Sequence, residues 1–117
     1  MQFENLYIWQ ESKSLFLEIY TVSKKITHND IYFRSQLLDA TLSISNNIAE
    51  WFERKTSNEL CSFFDIAKWS CWEVRNMVYL LLDLWYINKD EQEFLVCKTR
   101  KIWVLIYKYV QKVRKST

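Results

Sequence analysis

Apolar residues recur along this chain at every third or fourth position, in four runs separated by short polar breaks. Ser12, Leu15, Ile19, Val22 and Ile26 fall on one face of a helix, as do Leu37, Thr41, Ile44, Ile48 and Phe52 in the second run. The third run is Leu60, Phe64, Ala67, Cys71, Val74, Val78, Leu81 and Trp85. The fourth is Leu95, Ile102, Ile106, Tyr109 and Val113. The spacing predicts helices over at least residues 7–25, 31–53, 58–84 and 90–113, each roughly 22–28 residues and about 33–42 Å long. The breaks carry matching chemistry. Lys24 and Lys25 are expected in the last turn of the first helix, where cations favour the dipole. Thr27 to Asp30 reads as a turn, with Asn29 or Asp30 as the next N-cap. Thr56 and Glu59 have capping-box spacing, and Asn88 and Glu91 repeat it. Short links between long helices make sequence neighbours antiparallel. The expected fold is all-α: an antiparallel up-down-up-down four-helix bundle, one domain over residues 1–117.

Three of the helices carry a second apolar face. Trp9, Phe16 and Tyr20 lie about 80° round from the first core stripe at 100° per residue. Trp69 and Trp72 point away from the third stripe, and Trp103, Tyr107 and Val110 form a strip beyond the fourth. Single surface aromatics are ordinary, but three such faces together favour an oligomer interface. The second helix adds a polar stripe, Gln36, Ser43, Asn47 and Glu50, beside Leu37, Ile44 and Ile48. Small and amide side chains at a seam allow close helix approach. With the turn centred near residues 55–56, Asn47 should lie opposite about Phe64, and Glu73 roughly 13 Å further along. The seam therefore reads as structural or intersubunit.

Composition narrows the picture. The 117 residues contain no glycine and no proline, against roughly 7% and 5% in average chains. Hairpins and bulges rely on glycine, so a β-rich fold is disfavoured. Half the residues are apolar, too many for a disordered chain. No signal peptide is read at the start. The longest nearly apolar run, residues 77–87, contains Asp83 and is too short to span a bilayer. No membrane partner is expected. Cys61, Cys71 and Cys97 lack zinc-ligand spacing and read as reduced, buried structural thiols of a cytoplasmic protein.

Catalytic constellations are missing from the pattern. His28 is the only histidine and falls in a predicted turn. One histidine cannot furnish the two Glu-x-x-His motifs of a di-iron bundle. Without glycine there is no phosphate-binding loop or dinucleotide fingerprint. Glu50 and Glu73 could form a carboxylate pair only if assembly joined them, which leaves an intersubunit enzyme as a third-ranked reading. No cofactor or metal is expected.

Charge is unevenly spread. Residues 1–94 hold 9 basic and 14 acidic side chains, net −5, whereas residues 95–117 hold seven basic and no acidic ones, net +7. Lys98, Lys101, Lys108, Lys112 and Lys115 lie within about 100° of arc on a helix, with Arg100 and Arg114 further round. A basic stripe of this kind is the electrostatic footprint of nucleic-acid binding or simply a solvated helix face.

"FENLYIWQES" at 3–12, "SQLLDATLSISNNIAE" at 35–50 and "ELCSFFDIAKWSCWEV" at 59–74 resemble the bacterial four-helix-bundle proteins first noticed in intervening sequences of 23S ribosomal RNA genes. The core S-I-x-x-N-I-A-E with a downstream I-A-x-x-S-x-x-E is the specific part. The resemblance implies a homopentameric barrel. It extends to the accessory variability proteins of diversity-generating retroelements, which implies RNA or DNA as ligand and a reverse transcriptase as partner. The chain departs from the family where Thr27 and Ser45 replace its usual prolines, and where Trp51, Trp69, Trp85 and Trp103 replace glycines. A UGA codon reassigned to glycine but read as tryptophan would give that pattern, and so would a chain repacked around indoles. The expected function is a non-enzymatic oligomeric adaptor binding nucleic acid through the basic last helix, with a purely structural interaction module as the alternative.

Overall fold

The computed structural model describes residues 2–54 and 57–115, with residues 57–61 as backbone only. Four helices carry the chain: α1 Tyr7–Ser23, α2 Ile31–Arg54, α3 Ser57–Asp83 and α4 Lys89–Lys115. Short 3-10 turns, Phe3–Asn5 and His28–Asp30, precede the first two, and no strand occurs among the described residues. Each helix packs against its sequence neighbours, and α1 closes against α4. This fits a four-helix bundle, about 47 Å long and 23 by 21 Å across.

The core is the stripe that the periodicity picks out. Leu15, Ile19, Leu37, Ile44, Ile48, Phe64, Val74, Val78, Leu81, Ile102 and Ile106 are fully buried. Each contributes about 1.5–3 kcal/mol relative to exposure. That burial, more than intrinsic propensity, sustains α2 through its Ser-Ile-Ser-Asn-Asn centre. The polar side chains there bond back to the preceding turn. Thr41 Oγ1 donates to the Leu37 carbonyl at 2.7 Å, Ser45 Oγ to Leu42 at 3.3 Å, and Asn47 Nδ2 to Ser43 at 2.7 Å. These groups are satisfied inside the helix, which makes them compatible with it.

The first helix is shorter than expected. α1 has 17 residues and ends at Ser23, so Lys24 and Lys25 lie beyond its last turn. Arg34 Nε donates to the Ser23 carbonyl at 3.2 Å, and the amide of Ile26 returns to it at 3.1 Å. That turn folds Ile26 into the core, a gain that continuing the helix would have forfeited. The predicted turn holds, with His28 exposed in its 3-10 segment. The proposed Thr56–Glu59 box and the core position Leu60 fall on residues whose side chains lie outside those described.

Trp85 departs from its assigned place in the third stripe. It is 92% exposed, with φ of 70°, the left-handed region that favours glycine. Its amide donates to the Leu82 carbonyl and that of Tyr86 to Leu81, both at 3.0 Å. This is the Schellman arrangement that ends a helix, with Trp85 at the position glycine usually fills. The other three tryptophans behave differently. Trp51 is buried against Phe64 and Tyr109, at ring separations of 5.0 and 5.5 Å. Trp103 is half-buried and Trp69 exposed.

Contacts between α2 and α3 mark how the two helices pair. Ser43 and Ser70 hydroxyls meet at 2.9 Å, and the Phe64 ring packs on Trp51 at 5.0 Å.

Candidate nucleic-acid interface

α4 starts at a reciprocal capping box. Asn88 Oδ1 accepts from the Glu91 amide at 2.8 Å, and Glu91 Oε1 accepts from the Asn88 amide at 3.0 Å. Asp90 and Glu91 occupy its first turn, and Lys112, Arg114 and Lys115 its last. Both ends therefore complement the helix dipole. The buried face is Gln92, Leu95, Val96, Thr99, Ile102, Ile106 and Val110. Val110 thus belongs to the core and not to an outer strip, while Tyr109 and Val113 are half-buried.

The basic stripe divides into two parts. Its first half docks on α1. Lys98 Nζ donates to Ser14 Oγ at 2.5 Å and sits 5.6 Å over the Phe94 ring. Lys101 Nζ donates to Glu11 Oε1 at 3.0 Å and lies 5.3 Å over Tyr7. Hydrogen bonds from Lys101, then Tyr7, hold the Glu11 carboxyl below its ordinary value. Those with Tyr7, then Glu11, raise the Lys101 ammonium above its own. The neutralising acid comes from another helix, which the absence of acids within α4 could not reveal. The second half, Lys108, Lys112, Arg114 and Lys115, is exposed. Arg100 is also exposed, on the side facing α3.

The aromatic positions fall into separate patches. On α1, Trp9 packs on Phe3 at 5.3 Å with Lys13 over its ring, and Phe16 meets the exposed Tyr20 at 5.9 Å. Between α3 and α4, Trp72, Trp103 and Tyr107 form a run. Trp72 and Trp103 are 6.3 Å apart and 22° from parallel; Trp103 and Tyr107 are 5.7 Å apart and 10° from parallel. Trp103 thus contacts both of the other rings within a single chain. Trp72 and Trp103 border a groove of about 290 Å³ whose lining also includes Arg75, Arg100 and the buried Cys71 and Thr99, and Tyr107 extends the run of rings beyond it. Arg75 was not foreseen. Its spacing three residues after Trp72 puts both on one helix face, but its meeting with Arg100 depends on how α3 and α4 pack.

The polar seam of α2 faces α3. Gln36, Asp39, Ser43, Trp69, Ser70 and Glu73 line a shallow cleft of about 240 Å³. Asn47 Nδ2 also reaches Ser43 Oγ at 3.1 Å. Glu50 lies toward the other end of α2, paired with Arg54 at 2.9 Å, so within the chain Glu73 neighbours Asp39 and not Glu50. Cys97 is exposed, contrary to the expectation of three buried thiols. Cys71 is buried, and its thiol is pushed up to about 12 by that burial, with Arg75 opposing. Cys61 lies among the residues without described side chains. Among the described residues, no group of His, Cys, Asp and Glu could hold a metal ion. No helix there is long and apolar enough to cross a membrane.

The search of curated proteins finds no match to this chain. Residues 4–108 match the family model of the 23S rRNA-intervening sequence protein. The four helices, the Ser43–Ser70 seam and this match over nearly the whole length agree, and the chain belongs to that family.

Proposed function

We propose that this protein is a non-enzymatic, oligomeric helical adaptor that binds nucleic acid through the C-terminal half of α4. The observation that carries the reading is the exposed cluster Lys108, Lys112, Arg114 and Lys115, in a segment without a single acid. Repeated around a closed assembly, such clusters make an extended positive surface. It would hold phosphate backbones with little sequence preference and strong salt dependence. The family's description is not that of an enzyme and ties it to a ribosomal RNA sequence context.

The assembly belongs to the same proposal. The chain is one domain with its helices running up-down-up-down. Supporting this, Lys25 meets Glu91, Ser14 meets Lys98 and Glu11 meets Lys101, so falling α1 numbers pair with rising α4 numbers. The exposed aromatics Tyr20 and Trp69, with Trp9, Phe16 and the Ser43–Asn47–Glu50 seam, supply faces for a homopentamer. Reduced thiols suit a cytoplasmic setting.

Fluorescence anisotropy with labelled RNA and DNA at two salt concentrations tests the ligand, and light scattering tests the assembly. Lys108→Glu with Lys115→Glu should abolish binding while the particle mass stays well above the 14.4 kDa of one chain. Lys101 is unsuitable for this purpose, because a glutamate there would face Glu11. Absence of binding even at low salt would leave the structural interaction module as the function.

A further inference from the structure

We propose that the α3–α4 groove is a stacking site for unpaired nucleobases, so that the nucleic acid this protein takes is single-stranded. The inference rests on the nucleic-acid reading of α4 and adds the kind of strand. Trp72, Trp103 and Tyr107 form a nearly parallel run from α3 on to α4. The two end rings are 48% and 47% exposed, so each offers a π face to water. An unpaired base can stack on such a face whatever its identity, whereas a base inside a duplex has both of its faces occupied.

The charges beside the rings suit the same ligand. Arg75 and Arg100 both line the groove, and no carboxylate does. Neither arginine has a hydrogen-bond or ion-pair partner among the described residues. A guanidinium can stack on a base or grip a phosphate in bidentate fashion. At about 290 Å³ the groove lies at the small end of ligand pockets. That suits a base or nucleoside and excludes a double helix. Two unpaired cations beside stacked rings attract a polyanion, and the lysines at the end of the same helix continue the positive path. A second copy of the chain is the competing occupant. It would have to bring carboxylates to both arginines.

The test uses the full chain, a labelled unstructured single strand and the matching duplex, each as RNA and as DNA, at one salt concentration. Binding is read by anisotropy and by quenching of tryptophan fluorescence. Single strands of either sugar should bind at least tenfold more tightly than duplex and quench the emission. Trp72→Ala should remove that preference without weakening duplex binding, and Arg75→Ala with Arg100→Ala should weaken single strands more than duplex. Trp72→Phe, which keeps a ring, should retain the preference, and helicity by circular dichroism checks folding. Lys108→Glu with Lys115→Glu should abolish binding of both kinds of strand. Equal affinity for the two, or a preference that survives Trp72→Ala, overturns this inference and leaves the basic surface standing. If neither strand binds at low salt, the broader reading falls as well. A drop in particle mass on Trp72→Ala or Arg100→Glu would assign the groove to a subunit interface and overturn the stacking site.

Discussion

The hydroxyl of Tyr86 donates to Oδ2 of Asp30 across 2.5 Å, tying the turn after α3 to the turn before α2. The same oxygen lies 3.2 Å from the Thr27 amide and 3.1 Å from its hydroxyl. Since the phenol has one proton and gives it to Asp30, both Thr27 groups act as donors. Three groups of one turn are therefore satisfied by a single side chain from the other.

Tyr86→Phe should lose this clasp while keeping the ring. A partly buried hydrogen bond to a carboxylate is worth about 1.5–3 kcal/mol, and the urea midpoint should fall accordingly with the slope unchanged. Asp30→Asn should cost less when combined with Tyr86→Phe than in the parent, because the two changes remove one shared interaction.

Trp85→Gly should stabilise the protein. A non-glycine residue in the left-handed region costs about 1–2 kcal/mol, and a side chain 92% exposed gives little back. The melting temperature should rise by roughly a few degrees. Trp51→Gly should do the reverse, losing about 3–5 kcal/mol or more as a ring packed on Phe64 and Tyr109 disappears. Trp51→Phe should be far milder, because it also removes a buried Nε1 that has no acceptor. The codons at 51, 69, 85 and 103 complete the comparison: UGG at all four rules out a reassigned UGA.

Thiol alkylation should separate the two described cysteines. Cys97 is exposed, whereas Cys71 is buried with its thiol pushed up to about 12. The thiolate is the reactive form. Iodoacetamide near neutral pH should therefore label Cys97 in the folded protein and reach Cys71 only on unfolding, as read by peptide mass mapping. Rapid labelling of Cys71 in the native state would contradict the packing of α3 against α4.

The Glu11–Lys101 pair should leave a signature in acid. Glu11 titrates below its ordinary 4.5 when folded, so on acidification the unfolded chain takes up this proton first. The contact's contribution is therefore complete above that ordinary value. It is lost as pH falls through the lower folded value. Glu11→Gln should flatten this part of the stability profile, measured by urea midpoints at successive acid pH values. An unchanged profile would mean that the pair does not persist in solution.

The sequence by itself determined the four helices and most of the residues facing the core. A 3/4 apolar period has only one way to bury its stripe, and Asn88 and Glu91 signalled their cap by spacing alone. It also determined where the excess of positive charge lies along the chain, since no acid follows Glu93. Tertiary structure decided what happens between helices. Glu11 reached across to remove Lys101 from the basic surface, Arg75 and Arg100 came to share one groove, and Ile26 folded back to end α1 early. It also put Trp85 in the left-handed region, where the helical period alone would have assigned it to the core. Periodicity reports which way a residue faces on its own helix. The rotation and offset of one helix against the next come from how unequal side chains pack, and no local pattern encodes that.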